Sequence, residues 1–165
     1  MVQPEIKGME VLGPVGEGAC GSIFIARDLE GSEPTLPETK WYAVRVFNAI
    51  AINRPLIENM VRRLDGGSYP KSVVPIAWKG SKQGSRCMIM PMLADVDEEN
   101  LTIAIRSLQD RLNNYPETDA WPVVEKLARA LGEMHQRKIA HGNLKPGNIF
   151  FNQDDSLFLT DFAMG

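Results

Sequence analysis

The sequence predicts an α+β fold in two layers or lobes, and three observations carry that reading. The first half is built from short apolar, β-branched and aromatic segments separated by glycine- and proline-containing stretches. An amphipathic helical period begins at Trp121. Beyond it, two three-residue apolar runs flank a polar turn, the mark of a small hairpin. Strands first, then a helix and a hairpin, suit an α+β arrangement, with Pro91-Met92-Leu93 as the natural join.

Taken in order, residues 9–16 and 22–27 are strand-like and flank a glycine cluster, and 41–47 (WYAVRVF) is a third strand. The stretch 28–40 between them holds Gly31, Pro34, Pro37 and several acids, as an exposed connection would. Leu56, Met60 and Leu64 give 53–64 a helical spacing, and 73–78 and 86–90 read as two more strands. The acidic run 95–99 reads as a solvated loop or helix cap rather than a ligand site. Over 121–138, Val124, Leu127, Ala128, Leu131 and Met134 recur at steps of three and four, with charged residues between them, which predicts a helix packed on that face. The hairpin follows as Ile149-Phe150-Phe151, a turn at Asn152–Ser156, and Leu157-Phe158-Leu159 leading into Asp161.

Composition narrows the function classes. With 165 residues, 44% of them hydrophobic, the chain can bury one ordinary core or two small ones. A formal net charge of -3 gives no electrostatic reason to expect nucleic acid or an anionic membrane as partner. Cys20 and Cys87 lie far apart and match no metal spacing, which fits a reducing compartment. No apolar run reaches the roughly 18 residues of a membrane span, and MVQPEIKGME lacks the basic start and apolar stretch of a leader. A cytoplasmic location is expected.

Two motifs carry the chemistry. Gly16-Glu17-Gly18-Ala19-Cys20-Gly21-Ser22-Ile23 matches G-x-G-x-x-G followed by a branched apolar residue. Glycines suit close approach of backbone amides to phosphate oxygens, where a side chain would intrude or forbid positive φ. A dinucleotide crevice requires a helix straight after the glycines. Here Ile23-Phe24-Ile25-Ala26 continues as a strand, so a hairpin over a nucleotide fits better. The second motif, His141-Gly142-Asn143-Leu144-Lys145-Pro146-Gly147-Asn148, resembles the catalytic loop of protein kinases, usually H-R-D-L-K-P-x-N. Leu159-Thr160-Asp161-Phe162-Ala163 resembles the D-F-G segment, with Asp161 lying 13 residues beyond Asn148.

Together these motifs, in order and at suitable separations, identify a resemblance to the protein kinase-like family, of the eukaryotic serine/threonine type. The resemblance implies an N-terminal β-rich lobe over 1–93, with Gly-rich loop, third strand and hinge, and the start of a helical C-terminal lobe over 94–165. It implies a nucleotide site at Gly16, Gly18, Gly21, Ile23, Ala43, Arg45, Met90 and Met92, and magnesium ligands at Asn148 and Asp161. Met90 falls at the gatekeeper beside the adenine pocket, and Lys145 near the transferred phosphate. Glu58 is the candidate partner of the third-strand cation, one residue out of the usual register and equally able to face solvent. His141 is implied to pack and hydrogen-bond rather than act as a base, and His135 to be structural.

The departures point one way. Asn143 stands where the proton-accepting aspartate belongs, and its carboxamide has no useful basicity. Arg45 replaces the lysine and Gly142 the arginine, while Ala163 replaces the glycine, which restricts backbone freedom more than it harms metal binding. The activation segment, the A-P-E motif and the later helices do not occur in the sequence. That implies a fragment of a longer protein, or a helix face covered by another polypeptide. The leading expectation is a pseudokinase, binding ATP and Mg²⁺ weakly and acting as a regulatory or scaffolding module. An active kinase domain cut short, and an interaction module that binds no nucleotide, stay open as alternatives.

Overall fold

The computed structural model describes residues 3–18, 21–29, 31, 36–37, 39–47, 55, 59, 62, 69–100, 102–112 and 120–162. Glu58 and most of the expected helix over 53–64 lie outside them, as do Cys20 and Ala163. The chain divides into two compact units, one of Met1–Asn53 with Pro75–Met92, the other of Arg54–Val74 with Leu93–Gly165.

The first unit is a five-stranded antiparallel sheet in the order β1-β2-β3-β5-β4. Its strands are β1 (Met9–Gly18), β2 (Gly21–Asp28), β3 (Trp41–Phe47), β4 (Ala77–Gly80) and β5 (Arg86–Pro91). Alternation explains the core. Phe24 and Ala26, Tyr42 and Val44, Cys87 and Ile89 all point to one face, where they pack with Ile6, Met9, Leu36 and Ala77. Burial pushes the Cys87 thiol pKa up, so it behaves as a small core residue rather than a nucleophile. Pro14 lies inside β1 and is tolerated because β1 is an edge strand. Register shifts between Val11 and Gly13, and between Pro14 and Gly16, mark irregularities that bend it.

Among the described residues, the second unit includes two hairpins, two α-helices described end to end and a 3-10 turn at Pro146–Asn148. The hairpins are β6 (Ala94–Asp97) with β7 (Thr102–Ile105), and β8 (Ile149–Phe151) with β9 (Leu157–Leu159). The helices are α1 (Leu108–Arg111) and α2 (Ala120–Gln136). A capping box starts α1: the Ser107 hydroxyl accepts from the Asp110 amide, and the Asp110 carboxylate accepts from the Ser107 amide. α2 ends in a Schellman arrangement built on Lys138 at φ 57. There the Lys138 amide donates to the His135 carbonyl (2.8 Å) and the Ile139 amide to the Met134 carbonyl (3.1 Å). Val73, Met134, Ile139, Ile149, Phe151, Leu159 and Phe162 are buried in this unit.

Three expectations are corrected. The acidic run 95–99 is a solvated turn only at Glu98 and Glu99, for Asp95 and Asp97 lie in β6. Arg106 holds Asp95, and Asp97 accepts from the Glu99 and Asn100 amides to make the hairpin turn. The strand expected at 73–78 begins only at Ala77. Val73 instead forms an isolated parallel bridge to Leu159, and Pro75, without an N–H, interrupts the run. Finally, α2 buries Val123, Ala130 and Met134, with Leu127 half-buried. Of the expected face, Val124 is 50% exposed and Ala128 is exposed, and Trp121 is 73% exposed. Val123 and Val124 are adjacent, so the helix carries two apolar faces and tertiary contact chooses between them.

Candidate functional site

The sheet places the candidate nucleotide residues of the first unit together. Pairing aligns Gly16 with Ile23 and Ile23 with Arg45, and a second row aligns Ile25, Ala43 and Met90. By the two-residue alternation these side chains occupy the face opposite the core cluster. Arg45 is only 7% exposed, unlike the solvent-facing cation that a strand end would ordinarily present. The glycine cluster is the tip of the β1–β2 hairpin, with Gly18 paired to Gly21, and no helix follows it. The hairpin reading of the motif therefore holds.

Its glycines serve different purposes. A Cβ on Gly16 would meet nothing within 4 Å, leaving open space beside the backbone. Gly21 has φ +132, and a Cβ there would lie 2.1 Å from the Val46 carbonyl oxygen, so β3 itself demands glycine. At the end of the sheet, the Met92 amide donates to the Trp41 carbonyl (3.0 Å). That N–H is committed, leaving the carbonyl and side chain of Met92 for other contacts.

In the second unit, the β8–β9 hairpin returns the chain so that Asp161 lies beside the 141–148 loop. The Thr160 amide donates to the Asn148 carbonyl (3.1 Å), extending the pairing of Ile149 with Leu159 by one step. Buried Asn148 donates its Nδ2 to the Asn143 carbonyl (2.7 Å), which leaves its Oδ1 for another partner. Asn143 donates its own Nδ2 to the Asp161 carbonyl (3.1 Å), and its backbone amide donates to His141 Nδ1 (3.3 Å). The Thr160 hydroxyl donates to Asp161 Oδ1 (3.3 Å). Asp161 sits at φ 58, a left-handed conformation uncommon for residues with a side chain but more accessible to Asp than to most. Lys145 is exposed, and its carbonyl accepts from the Asn148 amide (2.9 Å).

Burial holds the His141 pKa below its ordinary value, against the Thr160 backbone and the Asp161 charge, which pull it up. His141 is thus a neutral acceptor that shapes the loop. The hairpin turn is anchored at Asp155, whose carboxylate pairs with Arg111 (2.5 Å) on α1 and Lys126 (2.6 Å) on α2. Partial burial pushes that carboxyl up, but these two cations outweigh it and the net shift is downward. Sequence reasoning missed Thr160 and the donor role of Asn143, for which the only signal was the amide itself.

Among the described residues, no group of three or more His, Cys, Asp or Glu could hold a metal ion. One carboxylate (Asp161) and one amide oxygen (Asn148) do fit Mg²⁺, which takes few protein oxygens and completes its shell with water and phosphate. Such an ion, when bound, would neutralise phosphate charge. No helix among the described residues is long and apolar enough to cross a membrane.

The fold is protein kinase-like: a β-rich N-terminal lobe and the start of a helical C-terminal lobe. No protein-family model matches the chain. It is similar to the serine/threonine-protein kinase greatwall of Xenopus tropicalis, 25% identical over 164 residues, covering 98% of this chain and 17% of that protein. Greatwall of Mus musculus is 26% identical over the same length. The MAP kinase kinase MKK1/SSP32 of Saccharomyces cerevisiae is 24% identical over 157 residues, 94% of this chain and 30% of that protein. The chain thus spans a minor part of these relatives, and what it shares with them is a protein kinase-like domain.

Proposed function

We propose that this chain is a pseudokinase domain: it binds ATP with Mg²⁺ weakly, transfers phosphate poorly or not at all, and acts as a regulatory or scaffolding module. The observation that carries the proposal is Asn143, whose carboxamide stands at the base position and spends its Nδ2 on the Asp161 carbonyl. Such a group cannot accept the proton of an attacking hydroxyl, a loss typically worth about 10²–10⁴-fold in rate. Gly16, Gly18, Gly21 and Arg45 would hold phosphate, with Ile23, Ala43, Met90 and Met92 against the base, and Asn148 and Asp161 would hold the metal. In this reading residues 1–93 form the N-terminal lobe and 94–165 part of the C-terminal lobe, in the cytoplasm, with a protein partner or a further segment of chain completing the latter.

The test is a thermal shift with ATP, with and without Mg²⁺. Stabilisation of a degree or more that needs both is expected, and a folded sample that does not respond rejects nucleotide binding. A second reading, an active serine/threonine-type kinase domain, is favoured by retained Lys145, Asn148 and Asp161 and by similarity to proteins named as kinases. Radiolabelled phosphate transferred to protein, and abolished by Asp161→Ala, would decide for it. Folded protein with an unresponsive pocket would instead favour an interaction module.

A further inference from the structure

We propose that Asn143 is a positioning residue whose carboxamide holds the Asp161 backbone in place, so that restoring an aspartate at 143 loosens the metal-ligand segment rather than reviving transfer. The inference rests on the nucleotide–metal reading above. Its starting point is the left-handed backbone of Asp161, at φ 58, and the hydrogen bonds that surround it. Three bonds tie the two segments into a ring. Thr160 donates to the Asn148 carbonyl, Asn148 donates its side chain to the Asn143 carbonyl, and Asn143 donates its side chain to the Asp161 carbonyl.

The last bond distinguishes amide from acid. At neutral pH an aspartate has two acceptor oxygens and no donor, so at 143 it would set a carboxylate against the Asp161 carbonyl. Asparagine has nearly the same shape and supplies the missing N–H. Loss of the base and gain of this bond are therefore one substitution. Because Asn148 is itself a candidate ligand and shares the ring, loosening Asp161 also relaxes the orientation of the second metal oxygen.

The experiment compares the unsubstituted protein with Asn143→Asp and Asn143→Ala in two measurements. In amide hydrogen exchange, the segment 157–162 should exchange about five- to tenfold faster in both variants, while β1–β3 is unchanged, as expected for loss of one net hydrogen bond. In Mn²⁺·ATP titrations followed by the free Mn²⁺ signal, both variants should bind several-fold more weakly. Here Asn143→Asp is decisive, because an added carboxylate by charge alone would tighten metal binding. Unchanged exchange in both variants, tighter Mn²⁺ binding by Asn143→Asp, or phosphate transfer gained by Asn143→Asp would overturn the proposal. If Asn143→Asp fails to fold, Asn143→Ala carries the comparison. If the unsubstituted protein binds no Mn²⁺·ATP, the nucleotide reading fails, and the exchange rates still decide the role of Asn143.

Discussion

The glycine hairpin of the first unit and the 141–148 loop of the second hold their shapes by different physics. At the hairpin the constraint is steric: β3 lies so close to Gly21 that only a missing side chain fits. At the loop it is polar, for a ring of amide donors and carbonyls ties Asn143, Asn148 and Thr160 to Asp161. Residues that look alike as motif letters thus fail in different ways, the first through clash and the second through unsatisfied buried groups.

The sharpest way to break the hairpin is Gly21→Ala. Backbone overlap with Val46 and a φ of +132 should together cost about 3 kcal/mol or more, read from urea unfolding. Gly16→Ala is its control and should cost under about 1 kcal/mol, since its Cβ meets open space; equal losses would remove the steric distinction. On the polar side, Asn148→Ala leaves the Asn143 carbonyl without this donor and should cost about 1–3 kcal/mol in the same assay.

A pH titration probes the loop without mutation. Because the folded His141 pKa lies below its ordinary 6.5, the unfolded chain binds the proton more readily. Its contribution should be full above about pH 6.5 and decline as pH falls below, levelling under the folded pKa. His141→Gln should flatten that part of the profile, and an unchanged profile would show the decline to have another source. The smallest expected effect is Lys138→Gly, which relieves a left-handed residue in the α2 cap and should stabilise by about 0.5–1 kcal/mol, seen as a higher Tm. A loss there would mean that the Lys138 side chain contributes more than its backbone strain removes.

Legibility in the sequence followed the same division. β3 was read at its observed limits, Trp41–Phe47, because an aromatic and β-branched run interrupted only by Arg45 admits little else. The hairpin nature of the glycine motif was legible because a strand, not a helix, follows Gly21. The β6–β7 hairpin was not, since Asp95 and Asp97 are poor strand formers held by Arg106 and by turn amides that no local pattern reveals. The buried face of α2 was legible in part. Leu127, Leu131 and Met134 lie on its buried or half-buried side as expected, but Val123 and Ala130 are buried where Val124 and Ala128 are exposed. Asn143 was legible as a lost base and opaque as a donor, for its acceptor, the Asp161 carbonyl, lies 18 residues away.

One feature of the sheet bears on how the protein behaves in crowded solution. β1 is an outer strand, and Pro14 together with two breaks in register interrupts it. An incoming strand from a second molecule would find one donor absent and the hydrogen-bond spacing out of step. The irregular β1 edge is thus a poor template for an added strand, whereas the opposite edge, β4, carries neither proline nor break in register.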